Sequence, residues 1–75
     1  MDADAVFRQR VGARLRDARA RKGLSQAALG RLLPGPVEGA YVSRWERGEN
    51  LPSWANLRAL ADALDVTVAS LIDED

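Results

Sequence analysis

The 75 residues include no histidine and no cysteine. The usual nucleophile and base pairs therefore cannot be assembled, and a zinc site would lack its nitrogen and sulfur ligands. Ser25, Ser43, Ser53 and Ser70 read as helix caps or surface groups, so no enzyme, cofactor or metal is expected. What remains is hydrogen-bonding chemistry, and it is concentrated in one stretch. Gln26, Glu38, Tyr41, Ser43, Arg44 and Arg47 lie between Gly23 and Gly48, and Asn50 follows closely. Planar guanidinium forks and carboxamides suit anionic oxygens and paired acceptors on a flat edge, which is the chemistry of recognition.

Those groups need a scaffold, and the spacing of apolar residues supplies one made of helices. Val6, Phe7, Val11, Leu15 and Ala18 recur at three- and four-residue steps, predicting a first helix capped by Asp4, reaching about Lys22 and stopped by Gly23. Ser25 predicts the cap of a second helix over Gln26 to Leu33, with Ala28, Leu29 and Leu32 inward and Pro34 ending it. Pro36 suits a first helical position, so a third helix is expected from there to about Arg47, closed by Gly48. Its apolar face would be Val37, Tyr41 or Val42, and Trp45. Glu38, Ala40, Ser43, Arg44 and Arg47 would be left outward.

Ser53 caps a fourth helix whose stripe is Trp54, Leu57, Leu60, Ala61 and Leu64. Thr67 caps a fifth, with Val68, Leu71 and Ile72 closing the core. The final Asp-Glu-Asp is expected to fray. Two short amphipathic helices joined by a Gly/Pro turn have the layout of a helix-turn-helix, a device for placing one helix in the DNA major groove.

Composition bounds the reading. Leu and Ala dominate, β-branched residues are few and 29% of residues are charged, so no strands are expected. A chain this short makes one domain, burying only roughly 60% of its unfolded surface. The formal net charge is zero, which by itself disfavours a polyanionic partner. Its distribution is uneven: residues 1–22 are net +4, residues 23–48 net +1 and residues 49–75 net −5. The basic end adjoins the suspected reading unit. No window approaches the ~20 apolar residues of a membrane span, and the N-terminus lacks the apolar core of a signal peptide, so the cytoplasm is the expected compartment.

The run VGARLRDARARKGLSQAALG, followed by YVSRWERGENLPSWANLRALADALDVTVASLI, resembles the Cro/repressor-like (XRE-type) helix-turn-helix family of bacterial and phage transcription regulators. The resemblance covers nearly the whole chain. It implies an all-α, compact five-helix lambda-repressor-like DNA-binding domain over residues 1–75, with the motif at about 25–47 formed by helices 2 and 3. The implied function is a sequence-specific regulator, a repressor, that binds double-stranded DNA as a homodimer on a palindromic operator. The alternative is a protein partner, with the same fold acting as an interaction module or antitoxin-like component.

The resemblance also implies which residues touch DNA. Gln26 matches the family's glutamine that opens the second helix and bonds a phosphate, beside the free N–H groups of a helix N-terminus; otherwise it is an ordinary first-turn residue. Base-reading positions map to Glu38, Gly39, Ala40, Ser43 and Arg44. Glu38 either accepts from cytosine N4 or simply places a favourable charge at a helix start, and Ala40 can touch a thymine methyl. Arg44 is the lead candidate for a bidentate guanine contact. Arg47 and Asn50 read as phosphate-positioning groups, and Tyr41 as a ring packed inward with its hydroxyl toward a phosphate. Arg19 and Glu46 match a structural pair joining the first helix to the third.

Two departures from the family pattern stand out. PGPVEGA replaces the familiar small-residue turn and is longer by about two residues. Glu49 stands where a basic residue is usual. For the dimer, Trp54, Val66, Val68, Leu71 and Ile72 are either a self-complementary patch or plain core, with Leu71 favouring core.

Overall fold

The computed structural model describes residues 2–73, folded into α1 (Ala3–Arg21), α2 (Gln26–Leu32), α3 (Gly39–Glu46), α4 (Trp54–Leu64) and α5 (Val68–Ile72). Among the described residues there is no strand. Of the Asp-Glu-Asp tail expected to fray, Glu74 and Asp75 lie outside them, whereas Asp73 is held as the C-cap of α5: its N–H donates to the Ala69 carbonyl at 2.9 Å and its carbonyl accepts from Arg14. Three helices begin where a hydroxyl can accept the free N–H three residues on: Ser25 from Ala28, Ser53 from Asn56 and Thr67 from Ser70. The first helix starts earlier than expected. Asp2, not Asp4, is the cap, accepting from the Ala5 N–H at 2.7 Å, while Asp4 sits in the first turn, where its charge complements the helix dipole. Either aspartate suits a cap chemically, and the earlier start adds two residues of hydrogen-bonded backbone to the helix.

The core is formed by Leu15 and Ala18 of α1, Leu29 of α2, Leu33, Val42 and Trp45 around α3, and Leu60 and Leu64 of α4. Leu71 of α5 is also fully buried, so it belongs to the interior rather than to a surface patch. Three positions on the expected stripes face solvent instead. Val6 is exposed near the start of α1. Leu32 is 56% exposed whereas Leu33 is 3% exposed. The cause is backbone geometry: α2 stops at Leu32, Leu33 adopts an extended conformation, and the break in helical period swings its side chain inward. Trp54 is 61% exposed. It is the first residue of α4, and helical side chains lean toward the N-terminus, so its indole projects past the end of the stripe that Leu57, Leu60, Ala61 and Leu64 bury.

The largest correction concerns α3. It begins at Gly39 rather than Pro36, and residues 33–38 form a non-helical connection. Val37 explains why. Its N–H donates to the Gly30 carbonyl at 3.1 Å, tying the turn back onto α2 instead of starting a new helix. The approach requires glycine, because a Cβ at residue 30 would lie 2.2 Å from the Val37 carbonyl oxygen. The extra length of PGPVEGA is therefore absorbed mostly before α3. At the other end of α3 the backbone of α1 comes equally close: a Cβ on Gly12 would stand 2.4 Å from the Glu46 carbonyl oxygen and 2.5 Å from that of Trp45.

Candidate nucleic-acid interface

Helix α3 has two unlike faces. Val42 and Trp45 are buried, which resolves the choice between Tyr41 and Val42 in favour of valine. Ala40, Tyr41, Arg44 and Arg47 are exposed, and Ser43 is half-buried between the two faces. The C-terminal end closes as a Schellman turn, with Gly48 N–H donating to the Trp45 carbonyl and Glu49 N–H to that of Arg44, at 3.1 and 3.0 Å. Arg8 of α1 donates through Nε to the Gly48 carbonyl at 3.2 Å, a contact with no signal in the sequence spacing.

Beneath this face lies the ion pair expected from the sequence. Arg19 donates from Nε to Glu46 Oε2 at 2.5 Å and from Nη2 to Oε1 at 2.9 Å, while its Nη1 donates to the Leu24 carbonyl at 2.8 Å. The Glu46 side chain is only 4% exposed, so the pair is shielded from solvent screening. Glu46's hydrogen bonds are the main cause holding the Arg19 pKa above its ordinary value. Desolvation opposes the shift and the carboxylate's charge reinforces it. The guanidinium stays charged throughout the working pH range. Glu46 Oε1 also accepts from Gln26 Nε2 at 3.0 Å, a bond the sequence reading missed. One carboxylate thus ties together α1, the opening of α2 and the last turn of α3.

The exposed candidates fall into two groups. Tyr41, Arg44 and Asn50 line one shallow hollow together with Trp45, Leu51 and Asn56. The Arg44 guanidinium carbon lies 5.4 Å from the centre of the Tyr41 ring, within reach of a cation–π contact. Tyr41's ring is thus half-exposed beneath an arginine rather than packed inward. Arg47 folds back on its own helix: its Nε donates to the Ser43 carbonyl at 3.3 Å and meets Glu49 Oε2 at 3.2 Å. Glu49 therefore draws off charge from a residue expected to face phosphate.

At the opposite end, Glu38 and Gly39 border a second hollow with Ala27, Arg31, Pro36 and Val37. Glu38 occupies the cap position of α3 without a side-chain cap bond, leaving its carboxylate in solvent at the positive end of the helix. Gly39 is half-buried, with α2 close by: a Cβ there would lie 3.0 Å from the Ala27 nitrogen.

A family model described as "Helix-turn-helix domain" matches residues 10–73. Repressor protein C2 of Salmonella phage P22 is 37% identical over 67 residues, 89% of this chain but only 30% of the phage protein's length. The crystal structure of the P22 c2 repressor in complex with a synthetic operator matches with a TM-score of 0.80 at 37% identity, covering 89% of this chain and 98% of that one. The restriction-modification controller protein C.AhdI from Aeromonas hydrophila matches with a TM-score of 0.76 at 40% identity, covering 84% and 92%. These matches name regulators rather than enzymes, and no helix among the described residues is long and apolar enough to cross a membrane. By sequence model, by relatives and by the packing of α2 against α3, the chain belongs to the Cro/repressor-like (XRE-type) helix-turn-helix family.

Proposed function

We propose that residues 1–75 form one domain that binds duplex DNA sequence-specifically and represses transcription by occupancy, without chemistry, in the cytoplasm. The observation that carries this reading is the two-faced α3. Its inner side is locked by Val42, Trp45 and the Arg19–Glu46 pair, and its outer side offers Ala40, Tyr41 and Arg44 on a rigid rod. A helix ≈ 10–12 Å across suits a major groove ≈ 12 Å wide. The P22 relative, solved in complex with a synthetic operator, supports duplex DNA as the partner. Arg44 is the base-reading residue, Gln26 and Asn50 position the backbone, and Arg47 does so once released from Glu49. A lone domain of this size makes few contacts, and a two-fold dimer on a palindrome doubles them. The exposed Trp54 offers apolar surface for that second copy.

Selection of duplexes from a random pool tests the reading. The expected result is an enriched palindrome with half-sites about one helical turn, ~34 Å, apart and a log K that falls steeply with log salt, by about 0.9 per neutralised phosphate. Arg44→Ala should cost about 1–3 kcal/mol on the selected site and little on random DNA. A pool that yields no salt-sensitive binding would leave the protein-interaction module as the better account.

A further inference from the structure

We propose that Glu46 is the positioning residue for Gln26, orienting its carboxamide so that one N–H is spent on the protein and the other is presented to a DNA phosphate. This rests on the reading of Gln26 as a phosphate contact. A carboxamide has two donors on its nitrogen and one acceptor, in a single plane. A phosphate oxygen can only accept, so the wrong face of the amide would turn carbonyl against anion. Glu46 removes that choice. Its Oε1 lies 3.0 Å from Gln26 Nε2, and a carboxylate can accept only from the nitrogen side. The carbonyl is thereby directed away, and the second N–H remains to donate.

A bare carboxylate so near a DNA backbone would repel it. Arg19 offsets that charge through two hydrogen bonds to Glu46, and Leu24's carbonyl holds the guanidinium from the far side. Because the Glu46 side chain is nearly buried while Gln26 is half-exposed, only the amide meets the phosphate. Pairs of this kind are ordinarily credited with holding helices together; here the third hydrogen bond extends the pair's reach to the DNA backbone.

Methylphosphonate substitution, one phosphate at a time in a selected duplex, tests this with wild type, Gln26→Ala and Glu46→Gln. Wild type should lose roughly tenfold in affinity at one phosphate per half-site. That loss should vanish in Gln26→Ala and fall to about twofold or less in Glu46→Gln, with every other phosphate behaving as in wild type. Glu46→Gln retaining the full loss overturns the positioning role while leaving the Gln26 contact intact. Gln26→Ala retaining it removes the contact itself, and the positioning role with it. Should Glu46→Gln fail to fold, the side-chain amide of Gln26 in the free wild-type protein decides. Two resolved Nε2 protons, one slowed in exchange and the other shifted on adding duplex, are expected; two equally exchanging protons overturn the proposal.

Discussion

The two ends of α3 are held by different means, and the contrast bears on how the outer face is aimed. At the C-terminal end the helix is bolted to α1: two carbonyls rest where a Gly12 side chain would be, Arg19 clasps Glu46, and the Schellman turn at Gly48 is capped by Arg8. At the N-terminal end there is no side-chain cap. Glu38 points into solvent, and the helix is steered by a six-residue connection pinned to α2 through Gly30 and Val37. One end is fixed by close backbone packing and side-chain bonds within a helix pair, the other by backbone contact with α2 at Gly39 and with a turn, with no side-chain bond. Turns yield more readily than packed helices because fewer buried contacts oppose their movement.

The largest effect is expected at the bolted end. Arg19→Met strands a nearly buried carboxylate, and stability should fall by about 3–5 kcal/mol, read from the denaturant midpoint at unchanged m-value. In so small a domain that approaches the whole margin. Gly12→Ala should follow with a loss of about 2–3 kcal/mol, since its Cβ meets helix carbonyls that cannot move singly. Gly30→Ala faces an even shorter contact, yet it should cost less, about 1–2 kcal/mol, because the turn can give. Its mark should be amide shifts confined to residues 36–39 and weaker DNA binding than the stability loss explains. A cost equal to or above that of Gly12→Ala would erase the distinction between the two ends. The smallest change is a gain. Glu38→Ser supplies the missing cap and should raise stability by about 1 kcal/mol, measured by thermal unfolding. If base preference also changes, Glu38 touches DNA; if it does not, its role is confined to the helix end.

Much of this was legible in the residues. Caps at Ser25, Ser53 and Thr67 and the stop at Gly48 are local events, decided within one turn of chain, and each falls where the spacing put it. The Arg19–Glu46 pair followed from family resemblance rather than from spacing. The misreadings cluster where a local rule competed with a distant contact. Pro36 is a fit first residue for a helix, but the Gly30 carbonyl captures the Val37 N–H and delays α3 to Gly39. Leu32 keeps the helical period, but the helix ends beneath it and Leu33 goes inside. Trp54 sits on the right stripe, one turn beyond where anything covers it. The Gln26–Glu46 bond spans 20 residues and left no trace in the sequence pattern.

By itself, then, the order of residues determined that the chain is helical, where most helices begin, and which segment concentrates guanidinium, carboxamide and phenol groups, because composition is local and capping and amphipathic period act over a few residues. Only the tertiary structure decided where α3 starts, which leucine fills the core, and which partner each of Gln26, Tyr41 and Arg47 takes. Those outcomes depend on which backbone groups meet across space, and a contact between distant residues has no period to read.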